Sequence, residues 1–377
     1  MECLYKRIFS YGSLQFCGHF EEYLAAHTED LLVYIVQPRV GATHNLLRRY
    51  RQGSLIDERP VRSSQNIFLY YALWFFNHVR FLLSFCPRHQ PTIVFGGHPV
   101  VFFGMRFFRL LRPLRYAYWV GDYFPSRRPV IRAFEWLKRR YLRRVDFAYY
   151  LTDAINRVMN GGMLADTPSR RTVMWGLKPY PRGPVPPPEP FTLLMVGLIR
   201  PGQGIERLFA FLRDRPAYRL AVIGVCQPAY FGELQRLLDE SGLRARVQMP
   251  NRFYSEEELL AVARTAHVGL ALYDTSAENF THYADPGKVK AYAEMRLPIL
   301  MTRISDIVPY VERFGCGEVI DRYEDLGAAL DRIRVRYADY QQGIERFLEY
   351  FEFERYYREA FRMMEGSWMR RDHGGRR

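Results

Sequence analysis

Short apolar runs alternate with stretches of helical spacing along the whole chain. In the first half this pattern predicts strands at 4–9, 31–36, 92–95, 115–120, 146–150 and 172–175. It predicts helices at 66–86, 99–111, 129–144 and 152–160. Apolar runs of four to eight residues bounded by turn residues read as buried strands, and apolar positions three and four apart read as one helix face. Residues 176–190 (GLKPYPRGPVPPPEP) interrupt the pattern, because prolines at this density block helix and sheet alike. The alternation then restarts. Strands are expected at 191–197, 219–224, 246–249, 267–273 and 298–302, with helices after the first two, at 255–266, and between Pro286 and Pro298. Ser255 followed three residues later by Glu258 is a capping-box signature. From 323 onward the chain reads as helical and aromatic-rich.

Alternating strands and helices predict an α/β protein with mostly parallel sheets. The expected plan is two Rossmann-like doubly wound domains facing a cleft: an acceptor-side domain at 1–175, a linker at 176–190 and a donor domain at 191–353. The helical tail, 354–377, is expected to return to the first domain. In such sheets ligands bind beyond the carboxyl ends of the strands.

Composition adds a partner. The chain has 377 residues, 48% hydrophobic and 25% charged, which suits two globular cores rather than disorder. Against 54 Lys+Arg stand 40 Asp+Glu, a formal charge of +14 that calls for an anionic partner. The excess is concentrated at 106–144, where only Asp122 and Glu135 oppose the basic residues. Residues 67–86 have the length of a bilayer span, but Asn77, His78 and Arg80 interrupt them, so a buried or interfacial helix is expected. Together with the Phe/Arg mixture at 102–112, this predicts a surface that touches an anionic membrane, or else core helices with solvated arginines. A cytoplasmic protein at the inner face of the plasma membrane is the expectation. Five cysteines without a CxxC pair fit a reduced compartment with no zinc site. No motif supports nucleic-acid binding.

Several stretches at expected strand ends carry candidate chemistry. In VGLIRPGQGIERL, the glycines of Gly202-Gln203-Gly204 would let backbone N–H groups approach a phosphate, with Arg200 adding a charged contact. A plain strand-to-helix turn is the alternative. In ADPGKVKAYAEMRLPIL, Lys288 falls in the first turn of a helix, where the N–H groups already carry partial positive charge. Two positive centres converging on one point fit a diphosphate between them; a solvent-directed lysine is the bland reading. The long polar loop before it holds Asn279, His282 and Tyr283 as donor-sugar candidates. In the first half, Asp122 and His98 both follow expected strands. Asp122 could act as a base on an acceptor hydroxyl or cap a helix, and His98 could compete for that role or be a satisfied buried imidazole.

Taken together, these stretches resemble the donor domain of a GT-B-fold glycosyltransferase, and are most similar to glycosyltransferase family four. That family shows V-G-R-L-x-x-x-K-G at the first turn and P-S-K-L-x-E-Y-x-A-x-G-x-P-V at the later helix. VGLIRPGQG and DPGKVKAYAEMRLPIL stand in their places, and the likeness covers about 191–320. More faintly, FSYGSLQFCGHF resembles the glycine-rich first loop, which implies acceptor-side roles for Gly12 and Ser13. The resemblance implies a UDP- or GDP-linked sugar donor and a glycan or lipid-linked acceptor. It also implies metal-independent transfer with retention, so no metal and no cofactor besides a nucleotide-sugar substrate is expected. The base and ribose would lie near Arg252, Phe253 and Tyr254. Departures are plain: Leu198 and Gln203 replace the turn's arginine and lysine, His19 replaces a glycine, and Ala291 replaces the ribose-holding glutamate, for which Glu294 is the candidate substitute. These losses leave a non-catalytic binding protein and a nucleotide-sugar epimerase as alternatives.

Overall fold

The computed structural model describes residues 4–12, 18–37, 44–181, 189–276 and 279–369. The chain divides into two compact units, Met1–Gly176 with Phe353–Arg377, and Leu177–Glu352.

Unit 1 opens with β1 (Tyr5–Gly12), α1 (Phe20–His27) and β2 (Thr28–Ile35), followed by a hairpin of β3 (His44–Arg51) and β4 (Ser54–Arg62). Then come α2 (Ile67–Phe85), β5 (Thr92–Gly96), α3 (Met105–Leu111), β6 (Leu114–Val120), α4 (Pro129–Leu142), β7 (Phe147–Tyr150), α5 (Asp153–Met159) and β8 (Arg170–Thr172). The sheet order is β4-β3-β2-β1-β5-β6-β7-β8. All neighbours are parallel except the β2-β3-β4 edge. The order reverses direction between β1 and β5, which is the switch point where such sheets take ligands.

Three details depart from the sequence reading. The β3–β4 hairpin was not expected, since its strands carry more charge than apolar alternation. The expected helix at 99–111 is two pieces, a 3-10 turn at Pro99–Phe102 and α3, separated by Gly104 in the left-handed region (φ 72°). Such a φ cannot continue a helix, and glycine adopts it without a Cβ clash. The strand expected at 172–175 is β8, three residues earlier at its end. By contrast, α2 forms where expected. Asn66 caps it by accepting N–H bonds from Phe68 and Leu69, and Tyr70, Trp74, His78, Phe81, Leu82 and Phe85 make its buried face. Among the described residues no helix is long and apolar enough to cross a membrane.

Unit 2 contains β9 (Phe191–Ile199), α6 (Ile205–Arg213), β10 (Tyr218–Cys226), α7 (Pro228–Glu240), β11 (Val247–Gln248), α8 (Glu256–Ala263) and β12 (Val268–Ala271). It continues with α9 (Gly287–Glu294), β13 (Ile299–Thr302), α10 (Val308–Phe314), β14 (Gly317–Ile320), α11 (Leu326–Val335) and α12 (Tyr337–Tyr350). The wholly parallel sheet has the order β11-β10-β9-β12-β13-β14, with its switch point between β9 and β12. Its near-continuous apolar strands bury both faces, as a sheet covered by helices on each side requires. The capping box at Ser255 and Glu258 is formed in both directions.

The chain then re-enters unit 1 as α13 (Phe353–Met369). Phe361 packs its ring among Phe20, Phe95, Trp119 and Tyr149. Tyr357 accepts the Gly176 N–H at 2.7 Å and donates to the Gly18 carbonyl.

Candidate functional site

The site in unit 2 is built at the carboxyl end of β9. Gly197 pairs there with Gly224 of β10, and a Cβ on Gly224 would fall 1.8 Å from the Gly197 carbonyl oxygen. The pair therefore tolerates no side chain at 224, and β9 and β10 run on to Ile199 and Cys226, two residues beyond the expected ends. Beyond them Gln203 braces the turn. Its Oε1 accepts the Arg200 N–H at 3.3 Å and its Nε2 donates to the Leu198 carbonyl at 3.1 Å. Gly204, at φ 72°, is the N-cap of α6, and a Cβ on it would lie 2.3 Å from the Tyr323 ring. No side chain caps α6, so its first N–H groups face the turn.

Helix α9 is held at the switch point by Tyr292. The Val196 N–H donates to its hydroxyl at 3.0 Å, and that hydroxyl donates to the Leu270 carbonyl at 2.8 Å. The ring lies against Gly269, where a Cβ would be 2.2 Å away. Tyr292 thus joins β9 to β12 just where their pairing, confined to Val268–Leu193 and Gly269–Leu194, ends. Lys288 is four residues earlier, on the same helix face. Its stem reaches 4.0 Å from where a Cβ on Gly197 would stand. Its Nζ is buried, has no hydrogen-bond partner, and lies 5.0 Å from the Tyr273 ring centre. Burial, and then the Arg200 charge, lower its pKa to about 8. α9 also has no side-chain cap at Pro286. Lys288 and Arg200 are thus close enough to repel one another, and neither α6 nor α9 has a side-chain cap at its start. Nearby, the buried pair Asp285–Lys290 (3.7 Å) spans the same turn, with Lys290 3.4 Å from the Phe351 ring centre. Sequence reasoning missed Tyr292, although the family's later motif carries a tyrosine at that position.

The other donor-side candidates divide into braces and surface groups. Asp274 accepts the Ser276 N–H (3.0 Å) and hydroxyl (2.8 Å), which hold its carboxyl below the usual range. Asn279 donates to the Asp274 carbonyl at 2.6 Å and accepts the Thr281 N–H. His282 Nε2 lies 3.0 Å from the Ser276 carbonyl, so Asn279 and His282 organise the loop from within. Tyr283 closes the 3-10 turn Phe280–Tyr283. Arg252 is bonded to Glu258 through both terminal nitrogens and lies 4.0 Å over the Tyr254 ring, while Phe253 is exposed. Asn251 ties this turn to the end of β10 by accepting the Cys226 N–H at 2.7 Å. Glu294 is not brought to the Lys288 end of α9. It is the helix's last residue, about 9 Å of helical rise away. It accepts the Lys178 N–H at 3.0 Å instead, because segment 178–180 packs there.

In unit 1, His98 is a cap. Its Nδ1 accepts the Val100 N–H at 3.3 Å, and its ring packs 4.3 Å from Trp74 and 5.3 Å from Phe134. Burial, then Lys138, lower its pKa to about 3, so the imidazole is neutral with its proton on Nε2. A ring fixed in that tautomer is a poor proton acceptor. Asp122 follows β6 with its side chain reaching solvent. Surrounding protein nonetheless raises its carboxyl pKa, against the pull of Lys138. Its carbonyl accepts from Lys138 Nζ at 2.8 Å, and that ammonium also donates to Glu135 at 2.9 Å. Gly12 ends β1 at the switch point; Ser13 lies outside the described residues. Among the described residues no group of His, Cys, Asp or Glu is arranged to hold a metal ion.

No family model and no curated protein sequence matches the chain. Solved structures do. Sucrose-phosphate synthase from Thermosynechococcus elongatus superposes with a TM-score of 0.67 at 15% identity, covering 98% of this chain and 100% of that one. An α,α-trehalose-phosphate synthase (UDP-forming) from Burkholderia vietnamiensis gives 0.60 at 13%, covering 97% and 100%. A mutant of S. aureus TarM, in complex with fondaparinux, α-GlcNAc-glycerol and UDP, gives 0.57 at 10%, covering 86% and 74%. With two doubly wound parallel sheets in its two units, this chain has the GT-B fold of those glycosyltransferases.

Proposed function

We propose that the protein is a glycosyltransferase that takes a hexosyl group from a UDP- or GDP-linked sugar, with a donor site of the family-four kind. One observation carries this reading: the buried, partnerless ammonium of Lys288 beside Arg200 at the switch point of unit 2. A donor diphosphate against Gly202–Gly204, Arg200 and Lys288 would pair with these two cations. The same cations and helix N-termini would neutralise the leaving diphosphate, so transfer needs no metal. The base and ribose are assigned to the turn at Arg252–Tyr254. Asp122 is assigned to the acceptor hydroxyl, with retention of anomeric configuration at the transferred sugar. The similar structures named above include a UDP-forming enzyme and a UDP complex, which support a nucleotide donor.

A lipid-linked or polysaccharide acceptor at an anionic membrane is supported by the outer surface of unit 1. Phe68 and Phe76 of α2, and Phe103, Phe107 and Leu110 around α3, are exposed beside Arg80 and Arg106. Neither helix contains Asp or Glu, and the one acid of α4, Glu135, is buried on Lys138. Apolar side chains set among arginines suit the boundary of an anionic leaflet.

The deciding experiment is a thermal-shift and titration screen of nucleoside diphosphates with the wild type and Lys288→Ala. Stabilisation by UDP or GDP that is lost in the variant is the expected outcome. No response to any nucleotide would remove the donor assignment. Sedimentation with phosphatidylglycerol vesicles, weakening as salt rises, tests the membrane assignment separately.

A further inference from the structure

A second cationic feature lies at the other end of the unit 1 sheet from Asp122. There the last turns of α4 and α5 and the first residue of β8 enclose a recess of about 450 Å³. Arg139, Arg143 and Arg170 line it, one from within α4, one just past its end and one from β8. Among the described residues no carboxylate is paired with any of the three.

Two of these arginines also cap helix ends. Arg139 donates through Nη2 to the Val158 carbonyl at 3.4 Å, and Arg170 through Nη1 to the Leu142 carbonyl at 2.8 Å. Each contact uses one of a guanidinium's five N–H donors and fixes the group in place. The Arg143 side chain is exposed and bonds no carbonyl. Among the described residues no carboxylate offsets the three guanidinium groups, and the two helix-end carbonyls leave most of their N–H donors, and the whole of Arg143, open to an anion. Planar paired donors match phosphate oxygens in particular. The volume falls in the range of small-molecule sites, about 300–1,000 Å³, so there is room for an organic group beside the phosphate.

We propose that this recess binds a phosphomonoester, at a site separate from the donor diphosphate and independent of the transferase reading. A soluble organic phosphate and the headgroup of a lipid phosphomonoester share this chemistry. The test uses the full chain carrying Lys288→Ala, so that unit 2 does not compete for the probe. Glycerol 3-phosphate is titrated calorimetrically, and vesicles of phosphatidylcholine are compared with and without phosphatidic acid.

One saturable site is expected, weakened about tenfold or more by Arg143→Gln, as loss of a charge-assisted contact predicts. Arg143 is exposed, so its replacement should leave the melting temperature unchanged; Arg170→Gln serves as the second variant. Saturable binding of glycerol 3-phosphate identifies a soluble ligand. Binding only to phosphatidic acid vesicles, lost in both variants, identifies a headgroup. Absence of saturable binding to either probe, or equal binding in wild type and both variants, overturns the site.

Discussion

Unit 1 buries the ammonium of Lys138 and unit 2, besides the Asp285-paired Lys290, that of Lys288, and Lys138 and Lys288 are treated in opposite ways. In unit 1, Lys138 is surrounded. It donates to the Asp122 carbonyl and the Glu135 carboxylate, with the Phe134 ring 4.9 Å away. In unit 2, Lys288 has only the Tyr273 ring and the repulsion of Arg200. A buried charge is costly unless paired, so the first arrangement is a structural solution and the second is an incomplete one. The difference teaches how to separate a core residue from a ligand site when both are buried and both basic. The partner count decides, not the burial.

Four experiments would break or sharpen that contrast. The largest effect is expected from Lys138→Ala. It strands the buried Glu135 carboxylate and should cost about 3–5 kcal/mol of stability, read by denaturant unfolding, while nucleotide affinity stays put. Lys288→Ala should do the reverse: affinity for a nucleoside diphosphate falls by about 1.5–3 kcal/mol, and the ligand-free protein melts no lower than wild type. If Lys288→Ala is instead strongly destabilising, Lys288 belongs with Lys138. Next is Tyr292→Phe. It leaves the Val196 N–H without its acceptor and the Leu270 carbonyl without its donor, and should cost about 1–3 kcal/mol. Because it loosens the seat of α9, titration should also show weaker nucleotide binding.

The smallest effect is in pH. Lys288 has a folded-state pKa near 8, lowered from the usual lysine range, so free protein loses this charge as pH rises through 8. An anion binds the charged form. Nucleotide affinity should therefore hold below pH 8 and fall by up to about tenfold between pH 8 and 9. Lys288→Met should flatten the profile; an unchanged slope in that variant would assign the pH dependence elsewhere. The protein's own stability moves oppositely, because the penalty for the unpaired charge is present below pH 8 and is relieved above it.

Much of this contrast was legible in the sequence, though not the part that decides it. The parallel strands of unit 2 are apolar runs of the right length, and the first-turn lysine behind Pro286-Gly287 stands out by its violation of helix-terminus electrostatics. What no local pattern carries is the environment. That Gln203 folds back to brace its own turn, that Gly204 faces Tyr323, and that Glu294 is taken by Lys178 are contacts between residues far apart or turned by tertiary packing. His98 shows the same limit: a histidine after a strand suggests chemistry, and only the Trp74 and Phe134 rings show it to be a neutral cap. The β3–β4 edge escaped notice for another reason. Its strands are HNLLRRYR and SLIDERPVR, and an outer edge needs few apolar residues and tolerates Pro60.

The seat of α13 bears on biosynthesis. Unit 2 is a continuous segment, and every residue of it leaves the ribosome before Phe353 does. Unit 1, though begun first, keeps a gap where Phe361 belongs, between Phe20, Phe95, Trp119 and Tyr149. Its aromatic interior therefore stays open while some 176 residues of unit 2, from Leu177 to Glu352, are synthesised. The later-made unit can finish folding first, and the earlier one cannot close its aromatic interior until its last helix arrives.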